Sequence, residues 1–213
     1  MNVLAIDSVS SLLSVAVAKK DEVFYMETET ENRQSEIIME CIDTQVKKAG
    51  LSPKDLNGVL CLSGPGSFTG LRIAYSICKG LALSLSIPFA AMSALECLAL
   101  SSRGLTLALT EAGKNAYFYA FFRDGMRLTH DKEGTAVQIL CEINNFTEQT
   151  TLAGSGAASF FGSLAADQKN IIFNNKIQGY ANELLTIAKK YNIWDNDCTS
   201  FLYIGPEYIR NTV

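Results

Sequence analysis

Asp7 closes the apolar run Val3-Leu4-Ala5-Ile6 and opens the polar turn Ser8-Val9-Ser10-Ser11. A carboxylate there could help to hold the metal ion of a bound nucleotide. The plainer alternative is a turn-forming Asp that bonds its own backbone. A second candidate is the string Gly64-Pro65-Gly66-Ser67-Phe68-Thr69-Gly70. Its glycines permit a tight turn and close approach of another group. Ser67 or Thr69 can cap the helix that follows, and free amides there attract an anion by about 0.3–1 kcal/mol when exposed. The string is neither a Walker A loop, because Leu71-Arg72 stands where Lys-Ser/Thr is needed, nor Gly-x-Gly-x-x-Gly. Gly154-Ser155-Gly156 repeats the strand, small-residue turn, helix pattern. Asp7, Ser8, Gly64, Gly66, Ser67, Thr69, Gly154 and Gly156 are therefore the candidate nucleotide or anion contacts. Close packing of a helix start on a strand is the competing explanation of both turns.

Other catalytic constellations are short of parts. The chain has one histidine, His130, in the charged stretch Thr129-His130-Asp131-Lys132, which reads as a surface loop. One histidine and no Cys-x-x-Cys pair cannot build a His-based zinc or iron site within one chain. A Ser-His-Asp triad would have to use His130, and no Gly-x-Ser-x-Gly elbow is present. No catalytic residue and no metal ligand is assigned. The six cysteines are scattered, mostly in apolar contexts such as Leu60-Cys61-Leu62, and read as buried free thiols of a reducing compartment.

The elements that must position these residues follow from periodicity. Strands are predicted at residues 3–6, 13–18 and 22–28, the last two split by Lys19-Lys20-Asp21, a meander signal. Residues 35–49 carry Ile37, Ile38, Cys41, Ile42 and Val46 at helical spacing, with Gly50 as the stop. A buried strand at 58–62 leads through the glycine-rich string into an apolar helix at 71–85. A short strand (89–91) follows, then a helix capped by Ser93 with Glu96 three residues on. The pattern then restarts around Ser101-Ser102-Arg103-Gly104. Strands are predicted at 105–109 and 116–122, with Asp124-Gly125 as a hairpin turn and a further strand from Met126. Beyond them come a helix at 135–143, a strand at 151–153, a helix to 166, a strand at 171–173 and a helix at 180–191. Meander followed by α/β alternation, seen twice, predicts a duplicated lobe. The predicted division is 1–102 and 103–213, with the last ten or so residues packing back on the first lobe.

Helix 71–85 is apolar nearly all round and helix 35–49 has a broad apolar stripe. Such helices are either fully buried or docked on a partner. The partner-facing residues are taken as Ile37, Ile38, Cys41, Ile42, Leu71, Arg72, Ala74, Tyr75 and Cys78.

Of the 213 residues, 48% are hydrophobic and 19% charged, enough to bury a core. A net charge of −4 supplies no global basic field for nucleic acid. The N-terminus lacks a basic signal-peptide region and no apolar run is long enough to span a bilayer, so a cytoplasmic protein is expected.

Together, Val3-Leu4-Ala5-Ile6-Asp7-Ser8, Gln34-Ser35-Glu36, Ser63-Gly64-Pro65-Gly66-Ser67-Phe68-Thr69-Gly70-Leu71-Arg72-Ile73, Ser93-Ala94-Leu95-Glu96 and Pro206-Glu207-Tyr208-Ile209-Arg210 resemble the TsaB (YeaZ) family. They occur in the family's order and span nearly the whole chain. The resemblance implies an α/β, two-lobed actin/Hsp70/sugar-kinase-like fold, a duplicated RNase H-like architecture. It also implies a non-catalytic subunit of the machinery that makes N6-threonylcarbamoyladenosine (t6A) at tRNA adenosine 37. Such a subunit binds the catalytic paralogue TsaD together with the ATPase TsaE, or forms a homodimer through the same helices. Contact with tRNA would be indirect. No cofactor of its own is required, with an adenine nucleotide at the complex interface as a candidate. The chain departs from the family pattern at Gln34, where His is common, and at Glu111-Ala112-Gly113, where Asp-Ala-Arg is common. From a different class, the alternative is a kinase or ATPase of the same fold using Asp7 and the two small-residue turns.

Overall fold

A computed structural model describes residues 1–30, 33–113, 115–164, 170–174, 179–195 and 205. These fall into two compact units. The first holds Met1–Ser93 and the described part of Gln178–Glu207; the second is the described part of Ala94–Ile177.

In the first unit, the meander forms β1 (Asn2–Asp7), β2 (Leu13–Lys19) and β3 (Glu22–Thr28). Helix α1 (Gln34–Lys48) follows, then β4 (Gly58–Gly64), α2 (Phe68–Leu85) and β5 (Phe89–Ser93). The sheet order is β3-β2-β1-β4-β5. β1 runs antiparallel to β2 and parallel to β4, as a crossover through α1 requires. β1, β2 and β4 read as continuous apolar runs because they are buried on both faces. α1 packs on β2 and β3, and α2 on β4, β1 and β5. Leu4, Ile6, Leu13, Ile38, Leu60, Leu62 and Phe89 are fully buried, and the Tyr75 ring meets Phe89 edge-on at 5.4 Å.

The second unit opens with α3 (Ala94–Ala99), followed by β6 (Leu105–Gly113), β7 (Ala116–Arg123), β8 (Met126–Arg127), β9 (Lys132–Thr135) and α4 (Ala136–Ile143). Then come β10 (Thr150–Ala153), α5 (Ala157–Gly162) and β11 (Ile171–Asn174). The order is β11-β10-β6-β7-β8, with β9 also on β7. β6 is antiparallel to β7 and parallel to β10. This is the first unit's plan again, with β6 in the role of β1 and β10 in the role of β4. Asp124 and Gly125 both have positive φ, 52° and 70°, as a two-residue hairpin demands.

Three expectations change. The units divide at Ser93/Ala94 rather than near residue 102, because α3 packs on β6 and β7. Helix α6 (Ala181–Lys190), placed by sequence in the second lobe, lies across β1, β2, β3 and β4. Residues 132–135 are a strand where the sequence reads Lys132 as loop and Thr135 as the start of a helix, since β7 offers Lys132 to Thr135 an open edge to pair with. The expected return of the last residues to the first lobe lies outside the described residues.

Candidate functional site

Asp7 is fully buried. One carboxylate oxygen accepts from the backbone N–H of Val9 at 2.8 Å and Ser10 at 3.0 Å, closing the turn after β1. The other accepts from the N–H of Tyr180 at 2.9 Å, at the start of α6. Neighbouring groups continue the pattern: Ser14 Oγ accepts from Ala181 N–H at 3.0 Å, and Glu27 Oε2 from Gly179 N–H at 3.0 Å. The Tyr25 hydroxyl donates to Glu27 at 2.5 Å. Three successive amides that a helix start leaves without intrahelical partners are thus held by side chains of β1, β2 and β3. Burial pushes the Asp7 carboxyl above its ordinary range, and the hydrogen bonds from Ser10, Tyr180 and Val9 draw it partly back. Burial, then the Glu27 carboxylate, push the Tyr25 hydroxyl up as well. Asp7 is an internal fastening whose two oxygens are both engaged, rather than a carboxylate aimed at open space.

The glycine-rich string folds against this turn. Gly64–Pro65 is a cis peptide, and Gly64 and Gly66 have φ of 115° and 154°. Ser67 caps α2, its side chain accepting from Gly70 N–H at 3.1 Å. Ser8 Oγ donates to the Gly70 carbonyl at 2.8 Å. The space above the glycines is filled: a Cβ on Gly66 would lie 2.4 Å from Val9 Cγ1, and one on Gly70 2.0 Å from the Ser8 carbonyl oxygen. The structure therefore brings Asp7, Ser8, Gly64, Gly66 and Ser67 together, but as strand-turn against helix-turn. Thr69 is exposed. In the second unit Gly154 has φ of 114°, and its Cβ would meet the Leu109 carbonyl oxygen at 2.3 Å; a Cβ on Gly156 would meet Tyr117 at 3.0 Å. At both turns the glycines serve close packing of one backbone segment on another, the competing explanation given by the sequence.

The partner-facing assignment also needs correction. Ile38, Cys41, Ile42, Leu71, Ala74, Tyr75 and Cys78 are buried in the core of their own unit. Cys78 Sγ donates to the Leu60 carbonyl at 3.5 Å, and burial pushes the Cys61 thiol well up. Ile37 is half-buried, and Arg72 alone of that set is exposed. The exposed apolar residues of α1 and α2 are others: Met39 (52% exposed), Phe68 (49%) and Leu83 (68%). On α2 the solvent stripe runs Phe68, Arg72, Ser76, Gly80, Leu83, and the core stripe Leu71, Ala74, Tyr75, Cys78, Ala82. A helical wheel drawn from Phe68 separates the two; a start at Leu71 hides Phe68. His130 is exposed, and Cys141, unlike the buried Cys41, Cys61, Cys78 and Cys97, is exposed too. Among the described residues no three His, Cys, Asp or Glu side chains gather as a metal ion would require, and no helix is long and apolar enough to cross a membrane.

The family model described as TsaD, tRNA N6-adenosine threonylcarbamoyltransferase, matches residues 28–190. The tRNA threonylcarbamoyladenosine biosynthesis protein TsaB of Bacillus subtilis is 32% identical over 128 residues, which cover 58% of this chain and 56% of that protein. That alignment thus spans just over half of the Bacillus protein. Haemophilus influenzae TsaB is 27% identical, with 100% of this chain and 95% of that protein aligned. The solved structure of YeaZ from Pseudomonas aeruginosa superposes with a TM-score of 0.79 at 19% identity, covering 97% of this chain and 99% of that one. A second Pseudomonas aeruginosa structure, described as similar to peptidase YeaZ, gives a TM-score of 0.86 at 19% identity, covering 98% and 99%. The fold is accordingly the duplicated actin-like one, two copies of a single α/β plan.

Proposed function

The chain belongs to the TsaB (YeaZ) family, and on that premise we propose that it is a non-catalytic subunit of the t6A37 tRNA-modification machinery. It binds and supports a TsaD-type catalytic subunit in the cytoplasm, together with a TsaE-type ATPase. The docking face is the exposed side of α1 and α2, with Ile37, Met39, Phe68, Arg72 and Leu83 as its contacts; a second copy of the chain competes for it. Contact with tRNA runs through the complex. The subunit needs no cofactor of its own, and an adenine nucleotide in the complex sits at the subunit interface rather than in the turn at Gly66.

One observation carries this reading. The residues equipped for chemistry, Asp7 and the glycine turns, are spent on internal bonds, while α2 exposes Phe68 and Leu83 to solvent. We read Phe68 and Leu83, with the exposed Met39 of α1, as the apolar contacts of an interaction surface.

The test is complementation in a bacterial strain depleted of its own TsaB-type subunit. Expression of this chain restores t6A in tRNA, measured by nucleoside mass spectrometry, and Leu83→Asp, folded and soluble, does not. Restoration by Leu83→Asp at wild-type level would remove the docking face. Magnesium-dependent ATP turnover by the isolated chain would favour the kinase or ATPase alternative instead.

A further inference from the structure

Arg72 is exposed on α2, one turn after Phe68, with its guanidinium 3.9 Å from the centroid of the exposed Phe68 ring. Stacking of this kind holds the planar group flat and limits its rotamers, so less freedom is lost when it meets a ligand. No carboxylate pairs with it among the described residues, whereas Arg123 and Arg127 both have acidic partners. Helix α2 carries no Asp or Glu along its 18 residues, and its other charged side chain, Lys79, is also a cation. Between the apolar ends Phe68 and Leu83 the stripe is low: Ser76 is small, and a Cβ built on Gly80 would meet nothing within 4 Å. The two ends are 15 positions apart, about 22 Å along a helix.

We infer that Arg72 is the specificity-determining residue of this face, and that it selects a partner helix carrying a carboxylate opposite the first turns of α2. The inference rests on the docking face proposed above and adds the chemistry its occupant must bring. A fork of N–H donors over an aromatic ring matches a carboxylate with two parallel hydrogen bonds. The Phe68 ring against the guanidinium excludes water from one side of the pair, and a desolvated arginine is the kind that dominates interfaces. The occupant is a helix of about four turns, apolar at both ends and acidic near one of them. Helix α2 of a second copy brings only cations, so a second copy would have to offer the exposed Glu36 or Glu40 of its α1.

The test uses the full chain and the TsaD-type partner of the proposed complex. Affinity is measured at low and high salt, and self-association by light scattering. Arg72→Glu is expected to weaken partner binding by roughly 100-fold or more, and Arg72→Ala by about tenfold. Arg72→Lys falls between wild type and Ala because it keeps the charge and loses the fork. Salt weakens the wild-type complex and leaves the affinity of Arg72→Ala unchanged. Unchanged melting temperatures show that the variants fold. If Leu83→Asp abolishes the complex while Arg72→Glu binds like wild type, the docking face survives and the role of Arg72 is overturned. If neither substitution affects binding, the docking face fails and the inference with it. If Arg72→Glu removes self-association but spares the partner, a second copy is the occupant and the inference is overturned.

Discussion

The turn from β4 into α2 and the turn from β10 into α5 hold the same place in two copies of one plan, yet they lead to different helices. Both use glycine where the backbone of another segment comes too close for a Cβ: Ser8, in the turn after β1, over Gly70 in the first, and Leu109 of β6 over Gly154 in the second. After the turn they diverge. The first launches an 18-residue helix with a side-chain cap from Ser67; the second launches a 6-residue helix whose cap residue, Gly156, has no side chain to offer. The shared part is a packing device of the fold. What is particular to this protein is the length and outer stripe of α2, so the distinction between scaffold and surface lies within one strand-turn-helix segment.

Several substitutions break or sharpen that comparison. The largest effect is expected at Asp7. Asp7→Ala leaves the buried amides of Val9 and Tyr180 and the half-buried amide of Ser10 without this acceptor, and should lower stability by about 3 kcal/mol in chemical denaturation. Gly70→Ala and Gly154→Ala place a methyl group against backbone oxygens and should each cost about 2 kcal/mol or more, Gly154→Ala the more because its φ of 114° adds backbone strain. Losses at both make the two turns equivalent packing devices, whereas a negligible loss at either would separate them. Ser67→Ala removes one cap and should cost about 1 kcal/mol. Leu83→Asp sits on the outer stripe and should change stability by less than about 0.5 kcal/mol. A large loss there would move the stripe from surface to core.

Asp7 also gives a pH signature. Its folded-state carboxyl titrates above the ordinary aspartate range. The stabilisation it gives over Asp7→Asn is therefore fully present below the unfolded-state value and shrinks as pH rises through the folded one. Denaturation midpoints of the two proteins, compared across acid to neutral pH, should converge as pH increases. Divergence would mean that the amide hydrogen bonds outweigh desolvation.

Much of this fold is legible in the sequence because its signals are local. The split meander, the Asp124-Gly125 hairpin and the alternation of buried strands with periodic helices each show within a short window. What escapes is decided by distant partners. Nothing near Lys132-Glu133-Gly134-Thr135 marks a strand; the open edge of β7 makes it one. Tyr180 carries no sign that its amide belongs to Asp7. The candidate site was half legible. The sequence shows that Asp7 and the glycines are special, but a backbone packed on backbone and a backbone cradling phosphate call for the same residues. For α2, starting the helix at Leu71 leaves out Phe68, and the remaining composition is apolar enough that the stripe of Phe68, Arg72, Ser76 and Leu83 does not stand out from Tyr75 and Cys78 until burial is known.

The fastening between Asp7 and Tyr180 joins residues 173 positions apart. During synthesis the first unit's sheet is therefore made long before the helix that covers it. A nascent chain ending between residues 64 and 179 contains β1 to β4 without α6, and the Asp7 oxygen that accepts from Tyr180 is then unused. The N-terminal half of this protein is finished last, and truncated or stalled chains are the species in which its apolar sheet is open to aggregation and to chaperones.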